Sequence, residues 1–195
     1  MAIFVERDMA VTRDVAVLVG SLREGAYSRR LALALAKLAL PELRPEIVGI
    51  GDLPFYNPDL EDHGAPPSWR RFRDRIRAAD GVLFVTPEYN RSIPGALKNV
   101  VDVGSRPSRQ GVRAGKPGAV VSASPGAIGG FGANQHLRQT LAAVGMPVLP
   151  QPEIYIGGVD KLVDDEGDFA NESTSELLQR FIGAFGRWIE RNHAG

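Results

Sequence analysis

Short apolar runs rich in β-branched residues alternate with Leu- and Ala-rich segments of helical length along this chain. A run such as Val15-Ala16-Val17-Leu18-Val19 has no polar side to turn toward water. Such a run belongs inside a parallel sheet, where crossover helices cover both faces. Sustained strand–helix alternation therefore predicts an α/β fold of three layers around a doubly wound parallel sheet.

Strands are predicted at residues 15–20, 46–50, 81–86 and 117–124, and a fifth in two pieces at 146–149 and 153–156. Helices are predicted at 29–40, from Pro66-Pro67-Ser68, from Pro94 to about residue 103, at 134–144, and from about Ser173. Pro41 ends the first helix, and two prolines make 53–59 a loop. Residues 105–116, rich in Arg, Gly and Pro, read as another loop, and the acidic stretch 164–171 as an exposed one. In the second helix Trp69, Phe72, Ile76 and Ala79 share a face. Arg70, Arg71, Arg73, Arg75 and Arg77 occupy much of the rest and read as a solvated face. Ile93, Leu97, Val100 and Val101 suit either the core or a subunit contact, as does the Trp188 stripe of the last helix. Residues 1–12 read as a frayed N-terminal extension and 13–193 as a single domain.

Lys and Arg balance Asp and Glu at 23 each, without the basic excess of a nucleic-acid binder. The chain has no cysteine, which removes disulfides, thiolate metal sites and thiolate phosphatase chemistry together. His63, His136 and His193 lack metal-ligand spacing, and His136 reads as structural. The first residues lack a basic start, their apolar run breaks at Glu6, and no stretch approaches the roughly 20 apolar residues of a membrane span. The expectation is a cytoplasmic protein with no metal, nucleic-acid or membrane partner.

The chemistry concentrates in three loops. Gly20-Ser21-Leu22-Arg23-Glu24-Gly25-Ala26-Tyr27-Ser28 joins the first strand to the first helix. Free N–H groups at a helix N-terminus make an anion cradle. Ser21 and Ser28 add hydroxyls, and Arg23 adds a planar fork of donors, which suits a phosphate monoester. The loop after the third strand is Thr86-Pro87-Glu88-Tyr89-Asn90-Arg91-Ser92-Ile93-Pro94-Gly95, and the loop after the fourth contains Ser122-Ala123-Ser124-Pro125-Gly126. All three follow strands of one parallel sheet and are expected to meet at its carboxyl edge. Gly130-Phe131-Gly132-Ala133 lacks the final glycine of a dinucleotide fingerprint, so no separate nucleotide domain is expected.

Gly20-Ser21-Leu22-Arg23, the long motif from Thr86 to Asn99, and Ser122 to Gly126 together resemble the NAD(P)H-dependent FMN reductase family, in particular its quinone, chromate and ferric reductases. The resemblance implies a flavodoxin-like fold with a five-stranded sheet, bound FMN, and NADPH or NADH as co-substrate. It implies ping-pong transfer of electrons to quinones, azo compounds, chromate or ferric complexes, with hydride chemistry on FMN N5 and no catalytic side chain required. Ser21, Arg23 and Ser28 would hold the FMN phosphate. Pro87, Glu88, Tyr89 and Asn90 would line the isoalloxazine chiefly through backbone groups, with Ser124 and Gly126 on its other side. Tyr89 would stack on the ring or pack at a subunit contact, and the Glu88 side chain reads as a solvated loop carboxylate. Arg91 is the substrate-side candidate for nucleotide phosphates or an anionic acceptor, unless it is a surface or interface arginine. Family members are homodimers or homotetramers. A flavodoxin-type one-electron carrier and a flavin-binding sensor without turnover are the other readings of the same cradle.

Overall fold

The computed structural model describes residues 12–39, 41–107, 111 and 115–193, so the expected frayed extension, apart from Thr12, and much of the 105–116 loop lie outside the described residues. Five parallel strands stand in the order β2-β1-β3-β4-β5. They are β1 (Arg13–Val19), β2 (Leu43–Ile47), β3 (Gly81–Thr86), β4 (Gly118–Ser124) and β5 (Ile154–Gly157). The helices are α1 (Tyr27–Ala39), α2 (Pro58–Asp62), α3 (Pro67–Ala78), α4 (Gly95–Gly104), α5 (Phe131–Ala143) and α6 (Glu172–His193). This is the predicted doubly wound, flavodoxin-like arrangement.

Strand alternation divides the interior into two cores. Val15, Val17 and Val19 of β1 face α1 and α6, where Leu31, Leu35, Phe181 and Phe185 are fully buried. Ala16 and Leu18 face the opposite side, against Trp69 and Ile76 of α3, Leu97 and Val100 of α4, and Leu137 of α5. Ile93, Leu97, Val100 and Val101 are buried within the single chain, which resolves their reading in favour of core. Trp188 packs against the first core, and its indole N–H donates to the Pro147 carbonyl at 2.9 Å.

Several boundaries differ from the sequence reading. The second strand runs over Leu43–Ile47, three residues earlier than expected. As an edge strand it carries the polar Arg44 and Glu46 and tolerates Pro45, whereas the reading followed the more apolar residues after it. Helix α2 begins inside the stretch expected to be irregular, at Pro58, and runs beyond it to Asp62. Pro58 takes its first turn, and the Asn57 side chain caps it by accepting the Asp59 N–H at 3.0 Å. Helix α5 starts at Phe131, three residues before its expected start, because Gly130 turns the chain with φ 76°. The fifth strand is Ile154–Gly157; of the expected earlier piece at 146–149, Val148 makes only an isolated bridge to Gly118. The acidic stretch is largely exposed, but Gly167 within it is buried against α1.

The arginine face of α3 is not wholly solvated. Arg73 is buried, donating to both carboxylate oxygens of Glu61 in α2 and, at 2.9 Å, to the Val103 carbonyl at the end of α4. The bond from Arg73 is the main reason the Glu61 carboxyl lies below its ordinary pKa. Removing one member of a buried pair leaves the other charge uncompensated. Glu61→Ala is therefore expected to lower unfolding stability by about 3 kcal/mol in urea titrations. A carboxyl with a depressed folded pKa contributes stability above its unfolded value of about 4.3 and loses that contribution as pH falls through the folded value. The urea midpoint of the wild type should accordingly fall more steeply below about pH 4 than that of Glu61→Gln.

Candidate functional site

Chain order across the sheet decides where a ligand can sit. From β1 the chain moves out to β2, then returns past β1 to β3. The connections leaving β1 and β3 thus depart to opposite faces of the sheet, and their loops part at the carboxyl edge. The crevice there is walled by the loops after β1, β3 and β4 and has a volume of about 210 Å³.

The first loop turns immediately at the strand end. Gly20 donates to Val85 O at 2.9 Å, and a methyl at Gly20 would lie 3.1 Å from both Pro87 and Thr86. Glycine therefore lets the first and second loops approach closely. The Ala26 carbonyl accepts the N–H groups of Arg29 at 2.9 Å and Arg30 at 3.1 Å, closing the first turn of α1. The N–H groups at the very start of α1 are left with no acceptor inside the helix. Ser28 lies in this turn, only 1% exposed, and its hydroxyl has no hydrogen-bond partner. A buried hydroxyl without a partner carries a desolvation cost. Arg23 folds back, donating through Nη2 to Gly25 O at 2.9 Å and lying 5.7 Å from the centre of the Tyr27 ring.

The second loop contains a tight hairpin. Tyr89 and Ser92 exchange backbone hydrogen bonds of 2.9 and 3.0 Å. Between them Asn90 and Arg91 have φ values of 50° and 66°. Positive φ at both central residues is the signature of a type I′ turn, which favours Asn first and Gly second. Asn90 fits, whereas Arg91 occupies the position where glycine is easiest. The Tyr89 hydroxyl lies 3.0 Å from Ser21 Oγ, joining the first and second loops across the crevice, and the residue remains 48% exposed. The Glu88 side chain is not a solvated carboxylate, being only 11% exposed. It accepts from the Ala133 N–H at 3.0 Å and from Arg91 Nη1 at 3.1 Å. Burial behind the turn removes it from water, a fact that its position in a polar loop did not reveal.

The third loop is held by Ser124, whose Oγ accepts the Gly126 N–H at 3.1 Å. Gly129 has φ 64°, and a methyl there would lie 2.6 Å from the Tyr155 backbone, so a side chain is excluded. His136, on α5, has its Nδ1 2.7 Å from Ser92 Oγ, so it ties the end of the hairpin to that helix.

Of the residues singled out in the sequence, Ser21, Arg23, Ser28, Pro87, Glu88, Tyr89 and Ser124 line this one crevice. Asn90, Arg91 and Gly126 lie beside it in the same loops without lining it. The sequence reading passed over Tyr27, which lines the crevice and has Arg23 and Arg30 within 5.7 and 5.1 Å of its ring centre. Its place inside the anion-cradle motif, between Arg23 and Arg30, was the available signal.

Residues 13–161 match the family described as NADPH-dependent FMN reductase. A quinone reductase of Pseudomonas putida is 54% identical over 186 residues, covering 95% of this chain and all of that protein. A 2-hydroxy-1,4-benzoquinone reductase from a Burkholderia species is 44% identical, covering 90% of this chain and 95% of the relative. The solved structure of FerB, a flavoenzyme NAD(P)H:(acceptor) oxidoreductase from Paracoccus denitrificans, has a TM-score of 0.86 and 43% identity, covering 92% of this chain and 98% of its own. Since the matched span takes in every strand and all three loops around the crevice, this chain belongs to the NADPH-dependent FMN reductase family.

Proposed function

We propose that this protein is an FMN-dependent oxidoreductase that takes reducing equivalents from NADPH or NADH and delivers them to quinones. The Ser28 hydroxyl carries the assignment: it is buried, unpartnered, and placed in the first turn of α1. A dianionic phosphate is a fitting occupant, because it accepts from that hydroxyl and from the free N–H groups of the helix. Ser21 and Arg23 would complete the phosphate site, Arg23 by releasing the Gly25 carbonyl and turning its fork to the anion. Pro87, Glu88, Tyr89 and Asn90 would present one wall to the ring, with Ser124 and Gly126 opposite. The crevice is smaller than the roughly 300–1,000 Å³ of a pocket enclosing a drug-sized ligand, which supports a ring with one accessible face. FMN, when bound, supplies the hydride chemistry at its N5 atom.

The protein's task is then to bind, orient and leave room. Donor and acceptor would use the same accessible face in turn, giving ping-pong turnover, and a weakly selective opening would also admit azo compounds, chromate or ferric complexes. The names of the quinone reductase relatives favour quinones. The reading treats residues 13–193 as one flavin-binding unit, working in the cytoplasm where NAD(P)H is available. Exposed Tyr89, Ile128 and Phe131 near the crevice support assembly into a homodimer or homotetramer. Arg91, 78% exposed and tied to Glu88, would meet negatively charged acceptors or nucleotide phosphates.

Titration of the apoprotein with FMN, followed by oxidation of NADPH and of NADH with benzoquinone, tests the assignment; protein that takes up no flavin, or holoprotein that leaves both nucleotides untouched, refutes it. Arg23→Ala should weaken FMN binding about tenfold to a hundredfold, the cost of losing a charge-assisted hydrogen bond. Ser28→Ala should weaken FMN binding several-fold without lowering apoprotein stability, since its hydroxyl has no protein partner to lose. Arg91→Gly relieves a positive-φ arginine worth about 1 kcal/mol while loosening the unfolded chain. Loss of the ion pair to Glu88 offsets part of that relief, so urea titration should find stability within about 1 kcal/mol of wild type, and steady-state kinetics should find KM raised for a sulfonated quinone more than for a neutral one.

A further inference from the structure

Helix α5 brings no side-chain cap of its own. Its N-cap residue is Gly130, in the left-handed conformation and without a side-chain hydrogen bond. A carboxylate from a different loop takes the place of that cap. Glu88 Oε2 accepts the N–H of Ala133, the third residue of the helix, at 3.0 Å. The negative charge thus meets the positive end of the helix. The other oxygen, Oε1, accepts from Arg91 Nη1 at 3.1 Å.

The surroundings are shaped to this arrangement. A methyl at Gly132 would lie 2.9 Å from Glu88 Oε2 and 3.2 Å from the Arg91 carbonyl. A methyl at Gly130 would lie 3.6 Å from Glu88 Cβ. Gly132 therefore leaves space for the Glu88 carboxylate, while Gly130 allows only ordinary contact with its Cβ, and Glu88 itself lines the crevice.

We infer that Glu88 is a positioning residue for the flavin: its side chain fastens the hairpin after β3 to the start of α5, so that the two walls of the ring site keep one spacing. The inference rests on the flavin reading of the crevice and assigns a side-chain role where that reading used only the Glu88 backbone. Through Oε1 the same carboxylate restrains the Arg91 guanidinium at the rim.

Three variants of the full chain test this, with wild-type protein alongside. Glu88→Ala should speed amide exchange at Ala133 in the apoprotein, weaken FMN about tenfold, and change the visible circular dichroism of the bound flavin. Glu88→Gln should keep FMN affinity within about threefold, because its amide oxygen still accepts from Ala133, while raising KM for a sulfonated quinone as Arg91 loses its tether. Gly132→Ala pushes on the carboxylate from the other wall and should mimic Glu88→Ala in FMN affinity and flavin dichroism. The double variant should bind FMN no more weakly than Glu88→Ala alone, since both changes break one contact. Wild-type affinity and dichroism in Glu88→Ala, or additive losses in the double variant, would overturn the role of Glu88. Wild-type protein that takes up no FMN would instead overturn the flavin reading and this role with it. Urea midpoints near wild type for Glu88→Gln and Gly132→Ala exclude global unfolding as the cause of any loss.

Discussion

Everything at the candidate site follows from where the sheet reverses its direction of growth. Strands β1 and β3 are hydrogen-bonded neighbours, yet α1 packs on one face of the sheet and α4 on the other. The loops after these strands must separate, and the gap between them cannot be closed by backbone pairing. Gly20 brings the two loops as near as they can come, with its amide on Val85 O. The space left beyond it receives the free N–H groups at the start of α1, which require an acceptor. A concave, donor-rich crevice is thus a by-product of topology, and the side chains only refine it.

Refinement takes the form of contacts between loops. Tyr89 reaches Ser21, Glu88 reaches Ala133, and His136 reaches Ser92. Each bond joins segments far apart in the chain and close at the sheet edge. The strained arginine at 91 belongs to the same network, since its guanidinium holds the carboxylate that caps α5. Such a local backbone cost persists only where surrounding contacts hold the chain in place.

What was legible in the chain was whatever is buried on both sides or forced by a special residue. Strand β3 was read with its observed ends because all six of its residues are buried. The loop after β1 could be singled out as a wall of the crevice because serine, arginine and glycine follow a strand directly. Edge strand β2 was displaced because its residues alternate between exposure and partial burial, and the stronger apolar signal lay just after it. Helix α2 was hidden by its own Pro58, which breaks a helix in its interior but suits its first turn. Helix α5 was started late because Gly132 looks like a loop residue, whereas its smallness serves Glu88. The buried ion pair of Arg73 and the cap from Glu88 were illegible for a common reason: a charged residue with a distant partner looks, in sequence, like a charged residue in water.

One modest feature limits how copies of this protein can meet. At the outer edge of the sheet, Val48 donates inward to Val17 O, so alternate residues before it, Glu46 and Arg44, point their amides the same way. Pro45 therefore stands where an amide would have faced outward, and it has none to offer. A second sheet approaching this margin finds a missing donor flanked by two charged side chains. Growth into a continuous intermolecular sheet is disfavoured on that side.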